Sequence, residues 1–243
     1  MFSVSVITTL YNYKNYIEDC ILSFLQQNFL DSEMIIVDDF SSDNSYEIIK
    51  KYENNRLKYI KLDKNYGYSH AKNVGIKNSQ SEILVMLDSD DLLVENSLLN
   101  RYKKIQEGYD LVHGPVLDIS GEKDNLKIRE SKMWKQWMSS KKNKSCYKLV
   151  HAQSVMLRKE IHRKIGLYDE NLRCKSDREM WARIFNYNFK IGWIDTPVSM
   201  YRKHSQQMHR SLEKAKNNDR LQSEVLSLIK KRSSDLSGLE FLQ

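Results

Sequence analysis

Cysteine, proline and glycine are all scarce in this chain of 243 residues. Its three cysteines, Cys20, Cys146 and Cys174, show neither metal-ligand spacing nor a paired framework, which favours a reducing cytoplasm over an oxidising compartment. The two prolines and eight glycines mark no flexible linker between domains. With 40% hydrophobic residues, the chain has enough apolar material for a globular core.

Long apolar runs are missing as well. Residues 1–6 lack the basic start and apolar core of a signal peptide. No run approaches the ~20 apolar residues that a transmembrane helix needs. We therefore expect a soluble, cytoplasmic protein whose membrane contact would be peripheral, at the inner face.

Positive charge exceeds negative charge, since 39 Lys and Arg residues stand against 32 Asp and Glu residues, a formal net charge of +7. Such an excess suits nucleic acid, an anionic membrane or a phosphorylated ligand, and does not choose among them. The sequence carries no signature of an RNA- or DNA-binding module. We therefore expect no nucleic-acid partner.

Strand-like and helix-like periodicities alternate through the first 110 residues. Four strand patterns cover 4–9, 34–37, 57–62 and 83–87, and four helical patterns follow them at 16–27, 46–52, 68–77 and 95–107. The alternation predicts an α/β fold with a mostly parallel sheet flanked by helices. Ligands of such sheets bind at the carboxyl ends of the strands.

Beyond residue 110 the pattern is less regular. Short strands are predicted at 111–113, 116–119, 154–157, 190–194 and 198–202, and helices at 159–164 and 177–187. The basic stretch 127–148 shows little strand character. Residues 212–229 predict a long amphipathic helix, either a packing element or a membrane-surface or dimer contact.

An apolar run at 83–87 ends abruptly in Asp88, Ser89, Asp90 and Asp91. Three carboxylates at the end of a buried strand repel one another, and the edge of a core is a costly place for charge. A divalent cation such as Mg²⁺ or Mn²⁺ would resolve the conflict. The alternative is a solvated loop that is merely acidic. Asp38 and Asp39 end another strand, which indicates a shared site.

Five segments in order resemble the nucleotide-sugar-dependent glycosyltransferases of family 2, which have the GT-A (Rossmann-like) fold. The segments are 4–12, 36–43, 65–76, 87–91 and 166–177. The resemblance implies a single GT-A domain over 1–210, with a nucleotide-binding half at 1–110 and an acceptor-binding half at 111–210. Residues 211–243 would form a C-terminal helical extension.

The resemblance also assigns roles at the acidic strand end. Asp88, Asp90 and Asp91 look like the metal-binding Asp-x-Asp element, with Asp88 and Ser89 also near the nucleotide sugar. In the family a His of the closing segment approaches the metal or the diphosphate, and His204 matches that position. The implied cofactor is Mn²⁺ or Mg²⁺, which would stabilise the leaving diphosphate. A surface histidine is the alternative for His204.

Nucleotide contacts are implied at further positions. Asp39 resembles the residue that accepts a hydrogen bond from the uracil ring, with Asp38 beside it, and this favours UDP. The alternative is that the Asp38–Asp39 pair begins a turn with Ser41 and Ser42. The family packs the base at the positions of Thr9 and Tyr11.

Lys72 and Asn73 stand where the family usually has Arg-Asn. Lys72 would reach the diphosphate as a point charge, without the bidentate fork of arginine. The alternative is a solvated helix residue. Two departures from the family pattern are Leu10 in place of proline and Phe40 in place of glycine, and they put the choice of nucleotide in doubt.

Asp177 is the candidate general base. Inverting transfer needs a carboxylate that takes the proton of the acceptor hydroxyl. The family usually writes Glu-Asp here, whereas this chain has Ser176 before Asp177. The alternative role for Asp177 is an N-cap of the helix that follows.

The function that the resemblance implies is metal-dependent, inverting hexosyl transfer from a UDP-sugar to a hydroxyl of a glycan or lipid-linked acceptor in surface polysaccharide synthesis. The basic, Trp-containing stretch 127–148 is either an acceptor loop or a charged surface insertion. One alternative is a metal-dependent nucleotidyltransferase, although residues 8–15 hold no glycine for a phosphate loop. The other is a non-catalytic relative that binds nucleotide sugars.

Overall fold

A seven-stranded sheet forms the centre of the structure, a computed structural model that describes residues 2–120, 127–130, 150–172, 175–207 and 227. Its strands lie in the order β10-β6-β9-β4-β1-β2-β3. Their bounds are β1 Val4–Leu10, β2 Ser32–Asp38, β3 Leu57–Lys61, β4 Ile83–Asp88, β6 Leu111–His113, β9 Met156–Arg158 and β10 Ile191–Trp193. The four strands predicted in the first 110 residues are confirmed.

The sheet is mostly parallel, as predicted, with one exception. β1 pairs in parallel with both β2 and β4, and β2 with β3, whereas β9 runs antiparallel to β4 and β6. Every residue of β1 and β2 is buried, because both faces of these strands are covered. The position of these strands in the middle of the sheet therefore explains why apolar residues point to both of its faces.

Six α-helices and two short 3₁₀ turns are present among the described residues. The helices are α1 Lys14–Leu25, α2 Ser45–Ile49, α3 Tyr68–Asn78, α4 Ser97–Gln106, α5 Glu160–Ile165 and α6 Ser176–Asn186. The 3₁₀ turns are Lys50–Tyr52 and Ala152–Ser154. No helix within the described ranges has the length and apolarity to cross a bilayer.

Two apolar clusters cover opposite faces of the sheet. One joins Ile17 and Phe24 of α1 to Ile36 of β2, and the other joins Ile7 of β1 to Trp181 of α6. The second cluster includes α3, which approaches β1 so closely that a Cβ on Gly75 would lie 2.3 Å from a methyl carbon of Ile7. Glycine at this position therefore allows α3 to pack closely against β1.

A second, four-stranded sheet has the order β5-β11-β7-β8. Its strands are β5 Leu92–Leu93, β7 Val116–Ser120, β8 Lys127–Glu130 and β11 Ser199–Lys203. β8 corrects the expectation of little strand character in the basic stretch, since its backbone pairs antiparallel with β7. The rest of that stretch, at 131–148, and the predicted helix at 212–229 lie outside the described residues.

Candidate active site

The two acidic strand ends meet at one edge of the central sheet. Thr9 of β1 is in register with Asp88 of β4, and Leu10 is in register with Asp38 of β2. The chain passes from β1 to β2 and β3 on one side, and returns to place β4 on the other side of β1. Such a reversal of strand order opens a crevice at the carboxyl ends, where α/β sheets bind ligands. The two acidic strand ends therefore lie side by side, and that they form one binding site stays a prediction.

Asp38 and Asp39 make different contacts. Asp38 accepts hydrogen bonds from the Ser41 amide at 2.8 Å and from the Tyr59 hydroxyl at 2.6 Å, so it does begin a turn, as the alternative proposed. Asp39 accepts from the amides of Tyr66 at 2.7 Å and Gly67 at 2.8 Å. Burial raises the pKa of Asp39 despite these two amides.

Two aromatic residues, Tyr11 and Phe40, follow the ends of β1 and β2. Tyr11 is exposed, whereas Thr9 is nearly buried. Phe40 has a φ of 71° and is 50% exposed, so a bulky residue holds the left-handed conformation that glycine adopts freely. The departure at Phe40 therefore leaves the turn in the conformation that a glycine would favour.

The acidic loop after β4 is largely buried. Asp88 keeps 27% of its side chain exposed, whereas Asp90 and Asp91 are buried. The alternative of a solvated acidic loop is therefore wrong. Burial raises the pKa of Asp90, and the negative charge of Asp88 adds to that rise. Burial and the charges of Asp90 and Asp88 raise the pKa of Asp91 still more.

The segment that begins at Arg202 closes over this loop. Arg202 donates its amide to Asp91 Oδ1 at 2.9 Å and its Nε to the Asp90 carbonyl at 3.1 Å. The Arg202 guanidinium also pairs with Asp19 of α1 at 3.0 Å. His204 Nε2 lies 3.0 Å from Asp90 Oδ2. The alternative of a surface histidine is wrong, because the His204 ring packs on Tyr16 at a centroid distance of 4.2 Å.

The donor set around Asp88 and Asp90 fits a hard divalent cation. Within the described ranges, no three His, Cys, Asp or Glu residues already converge as a metal cluster. However, Asp91 Oδ2 and His204 Nδ1 are buried without a hydrogen-bond partner among the described residues, and the carboxylates repel one another. Oxygen ligands with one imidazole are compatible with Mn²⁺ or Mg²⁺. Asp91 differs from Asp88, because one of its carboxylate oxygens accepts a hydrogen bond from the Arg202 amide. Ser89 has a buried hydroxyl that no described residue contacts by hydrogen bond.

Lys72 is fully buried in α3, so the alternative of a solvated helix residue is wrong. Its ammonium donates to the Tyr68 hydroxyl and lies 3.6 Å from Asp88 Oδ1. Asn73 uses its amide differently, because its Nδ2 donates to the Tyr168 carbonyl and to Glu170 at 2.9 and 2.8 Å. The Tyr168 amide donates back to Asn73 Oδ1 at 3.0 Å. Asn73 thus fixes the segment 168–170 against α3.

Asp177 lies in the first turn of α6 and is half-buried. It is not the N-cap, because Lys175 holds that position with a φ of 56° and no side-chain cap bond. Burial and the charges of Asp88 and Asp177 raise the pKa of both Tyr68 and Tyr168. Both carboxylates thus lie near the same two phenols, and we call the region around these four residues the cleft. No described residue donates a hydrogen bond to Asp177, whose carboxylate is therefore available.

Sequence patterns missed several contributors to this cleft. Three residues contact predicted site residues: Tyr68 contacts Asp88, Tyr168 contacts Lys72, and Arg202 contacts Asp91. By pattern, Tyr68 is an ordinary helix residue, and Arg202 stands on a short strand near the end of the described chain. For Arg202, the sequence did offer a signal, namely a charged residue two positions before the predicted metal ligand His204. For the tyrosines the sequence offers no such signal. By sequence, His209 and Arg210 could serve the same closing segment as His204, and both lie outside the described residues.

Comparisons with known proteins agree with this geometry. The model of the family described as Glycosyl transferase family 2 matches residues 5–166. Glycosyltransferase GlyG of Streptococcus pneumoniae is 28% identical over 219 residues, which cover 83% of this chain and 71% of GlyG. TuaG of Bacillus subtilis, a glycosyltransferase named for teichuronic acid biosynthesis, is 28% identical over 82% of this chain and 78% of its own.

Solved structures give the same fold. The crystal structure of S. aureus TarS 1–349 in complex with UDP-GlcNAc superposes with a TM-score of 0.74 at 20% identity, covering 97% of this chain and 70% of that chain. The complex of TarS with UDP has a TM-score of 0.72 and covers 65% of that chain. Because the family model matches well over half of the sequence, this chain belongs to glycosyl transferase family 2 and has the GT-A fold.

Proposed function

We propose that this chain transfers a sugar, with inversion, from a UDP-sugar to a hydroxyl of a glycan or lipid-linked acceptor. The observation that carries the proposal is that Asp88, at the end of β4, and Asp177, in the first turn of α6, lie near the same phenols, one of which donates to Asp88 at 2.8 Å. A carboxylate on each side of a reacting sugar divides the work between leaving-group stabilisation and proton removal. The related proteins GlyG and TuaG are named as glycosyltransferases.

Asp39 would select the nucleotide. Its carboxylate is held by the amides of Tyr66 and Gly67, and each oxygen keeps a lone pair for a further donor. A base with a ring N–H, such as uracil, would donate to it, with Thr9 and Tyr11 packing nearby. Support comes from TarS, which was crystallised with UDP and with UDP-GlcNAc.

Asp88 and Asp90, together with His204, would hold Mn²⁺ or Mg²⁺. Such a cation, when bound, stabilises the negative charge that develops on the leaving diphosphate. His204 is held by Tyr16 and by Asp90, and Arg202 ties the same loop to α1, so this chain keeps the ligands in place.

Asp177 would act on the acceptor. Its half-buried carboxylate has no hydrogen-bond donor among the described residues, so it can accept the proton of the attacking hydroxyl. The basic stretch 127–148 is proposed to face the acceptor, and surface polysaccharide is the acceptor class suggested by the names of the relatives. Action in the cytoplasm, peripheral at the membrane, would be consistent with a lipid-linked acceptor. The nucleotidyltransferase alternative is disfavoured by family membership.

The test is a panel of UDP- and GDP-sugars, assayed for binding and for hydrolysis with Mn²⁺, in the parent chain and in Asp177→Asn. We expect the variant to lower turnover at least about a hundredfold, because it removes the base, while its UDP affinity stays nearly unchanged. Asp195→Asn is the control for loss of one carboxylate, since Asp195 accepts a hydrogen bond from Trp193 of the edge strand β10, which two strands separate from β4. Absence of binding by any nucleotide sugar would refute the proposal. Binding without turnover in the parent chain would favour the non-catalytic relative.

A further inference from the structure

Tyr68, the first residue of α3, places its hydroxyl between a buried cation and the open carboxylate of the cleft. The hydroxyl donates to Asp88 Oδ1 at 2.8 Å. The same oxygen accepts a hydrogen bond from Lys72 Nζ, one turn further along the helix. Donation therefore runs in one direction, from ammonium to phenol to carboxylate, and hydrogen bonds in such a chain strengthen one another.

Lys72 cannot present its charge to the cleft directly. Its side chain is fully buried, with the ammonium 4.1 Å from the centre of the Tyr68 ring and 5.4 Å from that of Tyr168. The carboxylate that lies 3.6 Å from this ammonium belongs to Asp88, whose side chain is 27% exposed. The positive charge thus acts on the open part of the cleft through Tyr68 and Asp88.

We propose that Tyr68 and Lys72 act as one unit that positions Asp88, doing together what the fork of a single arginine does. A lysine is a compact point charge without directional preference, whereas an arginine offers two parallel donors to a carboxylate. Here the ammonium supplies the charge and the phenol supplies the directed donor. Tyr68 is therefore a positioning residue for the donor site. This inference rests on the proposed function only in taking Asp88 to serve nucleotide binding.

The hydroxyl of Tyr68 can be separated from its ring. Tyr68→Phe keeps the ring over the Lys72 ammonium and removes the hydroxyl, which is both the donor to Asp88 and the acceptor of Lys72 Nζ. Tyr52→Phe is the matched control, because the Tyr52 hydroxyl also donates to a carboxylate, Glu18, at 2.9 Å. Both variants lose one tyrosine-to-carboxylate bond, and Tyr68→Phe also removes an acceptor of the buried Lys72 ammonium. We therefore expect Tyr68→Phe to lose more thermal stability than Tyr52→Phe.

The decisive measurement is calorimetric affinity for UDP in the presence of Mn²⁺. We expect Tyr68→Phe to weaken this affinity about tenfold, because a hydrogen bond to a charged group is lost where Asp88 must be oriented. Tyr52→Phe should stay within about twofold of the parent chain. An unchanged affinity in Tyr68→Phe would overturn the inference while leaving the proposed function intact. A parent chain that does not bind UDP at all would overturn both.

A second substitution tests whether the pair replaces an arginine fork. In the Tyr68→Phe background, Lys72→Arg adds length and a second directed donor, and removal of the phenol oxygen makes room for it. We expect the double variant to recover most of the lost UDP affinity, since the guanidinium can then reach Asp88 itself. A double variant that binds as weakly as Tyr68→Phe, at parental thermal stability, would contradict the idea of a shared role.

Discussion

Two acidic strand ends lie side by side at the edge of the sheet, and they are chemically opposite. At the end of β2, Asp38 and Asp39 accept four hydrogen bonds, three from backbone amides and one from Tyr59. At the end of β4, Asp90 and Asp91 are buried close to Asp88, and their mutual repulsion is incompletely offset. Register places both ends against the same strand, β1.

The difference teaches what an acidic pair at a strand end can do. Carboxylates whose oxygens all accept hydrogen bonds hold loops together, so the β2 end is a frame that fixes the turn and the 65–67 segment. At the β4 end, Asp91 Oδ2 has no hydrogen-bond partner among the described residues, and the carboxylates repel one another. A cation would relieve that repulsion, so we propose that the β4 end is the side that binds metal. Lys72 and His204 border it from distant segments of the chain.

The largest expected difference between the two strand ends is in how much bound ligand stabilises the protein when each end is mutated. Mn²⁺ and UDP together, at about a hundred times the dissociation constant, should raise the free energy of unfolding of the parent chain by about 2.7 kcal/mol. Asp90→Asn at the β4 end should lose most of that increment, because it removes one of the proposed metal ligands. Asp38→Asn at the β2 end should retain it, since an amide oxygen can still accept from Ser41 or Tyr59.

Thermal unfolding with and without the two ligands measures these increments. Each variant serves as the other's control, because both replace one carboxylate by an amide at the same edge of the sheet. Equal increments in the two variants would show that the cation is not held at the β4 end.

The position of the site was predictable because it depends on strand order and burial. Apolar runs that end in Asp38 and Asp88 define the carboxyl ends of β2 and β4, and parallel neighbours bring such ends together. The bounds of β1 to β4 were accordingly predicted to within about two residues, which is the usual uncertainty of helix and strand ends.

The contacts inside the site were not predictable, because they join residues far apart in sequence. Arg202 and Asp91 are separated by 111 positions. The helical periodicity of α3 does not indicate which of its side chains reaches Asp88, and in the structure it is Tyr68. The strand at 127–130 was not predicted, because three of its four residues are charged and this composition is typical of a surface loop. Its conformation is decided by backbone pairing with β7, which the local sequence does not reveal.

A smaller effect is expected when the frame at the β2 end is broken. Asp38→Ala removes the acceptor of the Ser41 amide and of the Tyr59 hydroxyl, both of which are partly withdrawn from water. We expect the free energy of unfolding to fall by about 1–3 kcal/mol. Urea denaturation measures the loss, and Tyr59→Phe in both backgrounds gives the coupling between the two side chains. Additive losses would mean that the Asp38–Tyr59 bond does not stabilise the frame.

The smallest effect concerns Phe40, next to the frame. A bulky residue with a φ of 71° is strained by about 1–2 kcal/mol relative to glycine. Replacing Phe40 by glycine would relieve this strain, but part of the gain is lost, because glycine loses about 0.5–1 kcal/mol more conformational entropy on folding. Phe40→Gly should therefore raise the free energy of unfolding by about 1 kcal/mol or less, since half of the ring is exposed and little packing is lost. Phe40→Ala, which removes the ring but keeps the strain, should show no such gain in urea denaturation. A gain of equal size in the alanine variant would attribute the effect to the exposed ring and not to the backbone.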